Sequence, residues 1–215
     1  MQVETYIKLE EAILLEGEML PVMEHFYTLQ GEGAWTGTAS YFIRLAGCDV
    51  GCHWCDVKES WTVQEKQIMP IQALVEHVLE TGCKHVVITG GEPSLYNLNF
   101  LVDQLHAHDI AVHIETAGTN PLTASLDWVC LSPKKFKRPI PEVYPLADEL
   151  KVVVFNKHDF KWAEEHAVHC PEKTRLFLQP EWSKMDKMMP LILTYILENP
   201  RWSLSLQTHK WIHIP

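Results

Sequence analysis

At 215 residues the chain has the length of one large domain or two small ones, since domains run to roughly 100–200 residues. Its 47% hydrophobic and 21% charged residues exclude a mainly disordered chain. Its 18 Lys+Arg against 28 Asp+Glu, a net charge of −10, argue against a protein that holds nucleic acid by neutralising phosphates.

In chain order, the opening Met1-Gln2-Val3-Glu4-Thr5-Tyr6 lacks the basic flank and apolar stretch of a secretory signal. No later segment approaches the roughly 18 uninterrupted apolar residues of a membrane span. A cytoplasmic protein without membrane or nucleic-acid partners is the expectation. The first strand is predicted at 41–45, and a loop holding Cys48, Cys52 and Cys55 follows it. Ile71, Leu74, Val75, Val78 and Leu79 share one face of a predicted helix that Gly82 would close. A strand at 85–89 and a helix carrying Leu98, Leu101, Val102 and Leu105 come next, then strands at 111–115, 128–132 and 150–155. The last units are a helix over 160–168, a strand at 175–179, a helix over 185–197 that Pro190 would bend or delay, and a strand at 203–207.

Strands alternating with helices predict an α/β fold with a mostly parallel sheet. No linker, repeat or low-complexity tract divides the chain, so residues 1–215 read as one domain. The connections 117–127 and 133–149 are short or proline-rich, and the chain is shorter than the roughly 250 residues of an eight-unit barrel. An abbreviated, open βα barrel, partial and TIM-like, is the compromise. Polar residues stand at five strand ends: Thr89-Gly90-Gly91-Glu92, Glu115-Thr116, Ser132-Pro133-Lys134, Gln179-Pro180-Glu181 and Gln207-Thr208-His209. Carboxyl ends of strands are where such folds keep their active sites, so these five predict one shared rim.

Three of the six cysteines fall within eight residues, a metal or redox signal in a reducing compartment rather than a disulfide framework. Three soft ligands suit zinc or an iron–sulfur cluster. A closed zinc site wants a fourth ligand; His53 lies between two of the cysteines, and no second CxxC half is present. A four-iron cluster on three thiolates leaves one iron open to a ligand, which favours catalysis.

Cys48-x3-Cys52-x2-Cys55, with Trp54 before the third cysteine, resembles the signature of the radical S-adenosylmethionine superfamily. That resemblance implies a [4Fe-4S] cluster and S-adenosyl-L-methionine, cleaved after one-electron reduction to methionine and a 5′-deoxyadenosyl radical. Thr89-Gly90-Gly91-Glu92-Pro93 is similar to the superfamily's glycine-rich stretch beside the methionine moiety. A narrower resemblance, to the 7-carboxy-7-deazaguanine synthase family, runs through Leu29-Gln30-Gly31, Arg44, Ser132-Pro133-Lys134 and Gln207-Thr208-His209, ending at Pro215. It implies a homodimer that converts 6-carboxy-5,6,7,8-tetrahydropterin to the deazaguanine with loss of ammonia, for queuosine and other deazapurines. A flavodoxin- or ferredoxin-type donor would supply electrons.

By the same resemblance, Leu29, Gln30, Gly31, Arg44, Thr89 and Pro215 would bind the pterin, with Arg44 forking onto its carboxylate. Gly91, Glu92, Ser132, Pro133, Lys134, Gln179 and Trp182 would bind the cofactor. Mg2+ is also implied, but where the family has a hydroxyl donor this chain has Val57, which cannot ligate a hard cation. Asp56 is the remaining candidate beside it.

Cys83, Cys130 and Cys170 stand apart in apolar contexts and read as structural thiols. Met185, Met188 and Met189 read as core filling, His106, His108 and His113 as surface or strand-edge residues, and the loop from Lys135 to Arg138 as solvated. Two other functions stay open on the residues alone: an activase that takes hydrogen from a glycine of a partner protein, and a non-catalytic binding module stabilised by zinc.

Overall fold

Successive side chains along each strand point to opposite faces of one sheet, and that alternation separates the residues that meet the helices from those on the other side. The structure is a computed structural model that describes residues 18–215. The reading of Met1 to Tyr6 lies outside the described residues. The elements are β1 (Met19–Leu29), β2 (Ala39–Leu45), β3 (Ile68–Pro70), α1 (Ile71–Glu80), β4 (His85–Gly90), α2 (Asn99–His106), β5 (Ala111–Thr116), β6 (Trp128–Leu131), β7 (Glu149–Val154), α3 (His158–Ala167), β8 (Arg175–Pro180), α4 (Met185–Glu198), β9 (Trp202–Leu204) and α5 (Thr208–Ile212).

These strands form a nine-stranded sheet in the order β3-β1-β2-β4-β5-β6-β7-β8-β9. From β2 to β9 every pairing is parallel, while β1 pairs antiparallel with both β2 and β3. The two ends of the order, β3 and β9, do not pair with each other, so the predicted open, largely parallel α/β sheet is present.

Ile43, Leu45, Val86, Ile88, Val112 and Ile114 pack with Leu74, Val78, Leu101 and Leu105 of α1 and α2. Leu150, Val152 and Leu178 pack with Trp162, Met188 and Ile192 of α3 and α4. Each such side chain, fully buried, contributes about 1.5–3 kcal/mol. The intervening strand residues, among them Arg44, Thr89, Glu115, Lys151 and Gln179, face a cavity on the other side.

The sequence reading misses β1. Pro21 and a register shift between Val22 and Glu24 interrupt the two-residue period there. It also misses β3 and the terminal helix α5, and it puts the last strand at 203–207 where β9 is Trp202–Leu204. Leu79 is exposed rather than on the buried face of α1. Gly82 does follow α1 in the left-handed region, at φ 69°. Pro190 does not delay α4, which runs through it from Met185. Among the described residues no helix is long and apolar enough to cross a membrane.

Candidate active site

The cysteine loop begins where β2 ends, and neighbouring backbone pins it. Ala46 N–H donates to Pro21 O at 2.7 Å, Gly47 N–H to Ser60 O at 2.7 Å and Cys48 N–H to Trp61 O at 3.2 Å. From the end of β4, Gly91 N–H reaches Leu45 O at 2.9 Å and Glu92 N–H reaches Gly47 O at 2.8 Å. A Cβ on Gly91 would stand 2.0 Å from Gly47 O, and one on Gly90, at φ 140°, 2.2 Å from Leu45 O. Only glycine permits this approach of the two loops.

Asp49 ties the cysteine loop to two others. Its carboxylate accepts from Thr119 Oγ1 at 3.1 Å, from Asn120 Nδ2 at 3.2 Å and from Lys137. Lys135 pairs with Asp159, and the Arg138 guanidinium lies 4.9 Å from the centre of the Trp162 ring. The basic loop is therefore anchored rather than simply solvated.

The five predicted strand ends meet around one cavity of about 580 Å³. Its lining includes Cys48, Cys52 and Cys55, then Gly91, Glu92, Ser132, Lys134, Gln179 and Trp182, then Leu29, Gln30, Gly31, Arg44, Thr89 and Pro215, together with Asp56 and Val57. Of the predicted site residues only Pro133 does not line it. Among the described residues, no three His, Cys, Asp or Glu side chains converge as ligands of a single ion. Burial pushes the Cys52 thiol up to about 11, against the pull of Lys134.

Several of these side chains are already braced. Both Glu92 oxygens are engaged, by Ser94 N–H at 3.0 Å and Thr116 Oγ1 on one side and by Ala117 N–H at 2.7 Å on the other. Lys134 Nζ donates to Ser132 O at 2.8 Å and Ser132 Oγ at 2.5 Å. Gln179 Oε1 accepts from Ser205 Oγ at 2.6 Å. The terminal helix α5 docks through Thr208 N–H on Gly31 O at 2.9 Å, and a Cβ on Gly31 would meet the His209 ring at 2.2 Å.

Among the charged residues that line the cavity, Glu32 and Lys151 drew no role from the sequence, and Glu115 and His209 were placed on the rim without a role of their own. The findable signal is Lys151, a charge set between Leu150 and Val152 in β7. His113 was also misread. It is buried against His85, with ring centres 3.7 Å apart, and against Trp35 and Trp128. Cys83 and Cys130 are buried and Cys170 partly so, as expected of structural thiols. Met188 fills the core between α4 and the sheet.

Comparison with known proteins decides the family. A profile of the radical SAM superfamily matches residues 42–138. A 7-carboxy-7-deazaguanine synthase of Flavobacterium psychrophilum is 53% identical over 200 residues, covering 93% of this chain and 95% of the relative. The chain belongs to the 7-carboxy-7-deazaguanine synthase family. A synthase of the same name from Synechocystis sp. is 45% identical over 90% of this chain and 93% of its own. The crystal structure of QueE from Escherichia coli superposes with a TM-score of 0.81 at 29% identity, covering 92% of this chain and 97% of that one. As a radical SAM synthase, the chain uses a [4Fe-4S] cluster and S-adenosyl-L-methionine. The cysteine wall and the glycine turn fit both.

Proposed function

We infer that this chain contracts the ring of 6-carboxy-5,6,7,8-tetrahydropterin to 7-carboxy-7-deazaguanine with loss of ammonia, a carbon–nitrogen lyase reaction in queuosine biosynthesis. The observation that carries the reading is the meeting of the cysteine wall, the Gly90-Gly91 turn and the Arg44 guanidinium on one cavity, in a chain 53% identical to such a synthase.

When bound, the cluster and the cofactor supply a 5′-deoxyadenosyl radical that takes hydrogen from substrate carbon. The work of this chain is positioning. Arg44 offers its terminal amino groups to the substrate carboxylate, while Leu29, Gln30, Gly31, Thr89 and Pro215 hold the ring. Gly91 and Glu92 border the methionine part of the cofactor, and Ser132, Lys134, Gln179 and Trp182 its remainder, with Pro133 left outside the cavity lining. The carboxylates of Glu32 and Glu115 are acceptors suited to the N–H donors of an aminopyrimidinone edge.

Mg2+ does not fit the residues present. Val57 has no side-chain oxygen, its carbonyl accepts from Ser60 Oγ at 2.7 Å, and the Asp56 carboxylate accepts from Lys210 Nζ at 2.8 Å, so no step is derived through the ion. A homodimer and a flavodoxin- or ferredoxin-type donor belong to the same proposal. The exposed Trp211 and Ile212 support the first, and the exposed His53 and Phe136 beside the cysteine wall support the second. We read residues 1–215 as one radical SAM domain in the cytoplasm.

An anaerobic reaction of reconstituted protein with S-adenosyl-L-methionine, a strong reductant and the tetrahydropterin tests the reading by mass spectrometry. The deazaguanine is the expected product. Methionine and 5′-deoxyadenosine alone would move the assignment to another radical reaction, such as activation of a partner protein.

A further inference from the structure

Lys151 stands mid-strand on β7, and its side chain is 3% exposed. Its ammonium donates at 2.7 Å to Glu32 Oε2, from the loop after β1, and at 2.7 Å to Glu115 Oε2 on β5. The second oxygen of each carboxylate is braced as well. Gln207 Nε2 donates to Glu32 Oε1 at 2.9 Å, and Gln30 Nε2 to Glu115 Oε1 at 3.4 Å. Cys130 on β6 and Glu149 on β7 also face Lys151; His209 on α5 faces Glu32, and Lys134 faces Glu115.

Stability is a poor reason for such a network. Desolvating three charges offsets most of what their attraction returns, and apolar side chains of equal volume serve a core as well or better. The network also lies open to the cavity rather than within either apolar cluster. An ionised carboxylate has about four acceptor positions, so each of these two retains capacity toward the cavity after its internal bonds are made.

We propose that Lys151 is a positioning residue that holds Glu32 and Glu115 as a fixed pair of hydrogen-bond acceptors for the N–H edge of the pterin. It rests on the functional reading above. Burial alone would raise the Glu32 carboxyl, and the adjacent Lys151 with the Gln207 hydrogen bond brings it down to about 2 instead. Acceptance by Glu32 is therefore independent of pH across the neutral range.

The test is calorimetric titration of 7-carboxy-7-deazaguanine, which carries the same aminopyrimidinone edge, into anaerobic reconstituted enzyme between pH 5.5 and 8. The affinity of Lys151→Met should be about 10–100-fold weaker at the acid end, the worth of one charge-assisted hydrogen bond, and should recover as pH rises. Relative to that variant, the unaltered enzyme and Lys151→Arg should give flat profiles. A folded Lys151→Met with unaltered affinity and a flat profile overturns the proposal. If Lys151→Met does not fold, Lys151→Arg decides: a flat profile supports the role, and affinity lost toward acid despite the retained charge overturns it. If the unaltered enzyme binds no deazaguanine, the functional reading falls, and carboxyl 13C titration of ligand-free protein judges Lys151 separately. Glu32 should then titrate well below the ordinary carboxylate range in the unaltered chain and move markedly upward in Lys151→Met, and an unmoved titration overturns the proposal.

Discussion

Glu24 and Arg44 are cross-strand neighbours on β1 and β2, and Arg44 Nε donates to Glu24 Oε1 at 2.6 Å. The bond occupies one edge of the guanidinium and leaves its terminal amino groups for a ligand. Lysine has neither the fork nor the second edge. Arg44→Lys should raise KM for the carboxylated pterin by about 10–100-fold, with a smaller effect on kcat, in steady-state assays. Glu24→Gln should cost less. An unchanged KM in Arg44→Lys would remove Arg44 from the carboxylate site.

The cysteines divide by location. Cys48→Ala, Cys52→Ala and Cys55→Ala should each abolish release of 5′-deoxyadenosine, measured by liquid chromatography. Cys83, whose thiol donates to His85 O at 3.0 Å away from the cavity, is the control. Cys83→Ala should retain cleavage and lose only a few degrees of Tm. Cleavage that survived in the triple variant would contradict the cluster assignment.

The approach of Gly91 to Gly47 sets a steric test. Gly91→Ala must push apart two backbone segments, because its Cβ would meet Gly47 O at 2.0 Å and Ser60 O at 2.8 Å. Low iron content after reconstitution and lost cofactor binding are expected. Gly82→Asn, at φ 69° with open space around it, should reconstitute normally, since asparagine tolerates the left-handed region.

Acid should weaken the fold before it reaches the carboxylates. Burial, reinforced by His85, lowers His113 to about 3; burial, with Arg138 and His169, lowers His166 to about 4. Both stay neutral in the fold while the unfolded chain protonates near 6.5. Their stabilisation is complete above about pH 6.5 and declines as pH falls toward 4. The urea midpoint should fall between pH 7.5 and 5.5, and His113→Phe should flatten that fall. A midpoint equally steep in the variant would exclude His113 as a source.

Magnesium gives a negative expectation with a positive control. With Val57 beside an Asp56 held by Lys210, removing Mg2+ with a chelator should leave the rate unchanged. Val57→Thr supplies an oxygen and should introduce stimulation by the ion. A strong Mg2+ requirement in the unaltered enzyme would show that other oxygens serve.

The parallel units were legible because each is a short apolar run that ends in polar groups, as at Thr89 and Gln179. The β1 strand was not, because Pro21 and the bulge before Glu24 break its period. The cysteine wall was legible from spacing alone. The Glu32–Lys151–Glu115 network was not, because its members are 83 and 36 residues apart and meet only when β1, β5 and β7 surround the cavity. His113 was misplaced for a related reason. Nothing local to Ala111–Thr116 announces the rings of Trp35 and Trp128 that cover it.

The sorting of strand residues to two faces also shapes how this enzyme can vary. On β4, Val86 and Ile88 answer to the helices, whereas His85, Val87 and Thr89 answer to the interior. Substitution along such a strand is therefore judged by two unrelated criteria in strict rotation. A saturation scan would show hydrophobic exchange tolerated at every second position and failing at those between, so one strand records the history of its packing and of its chemistry in separate, interleaved sets of residues.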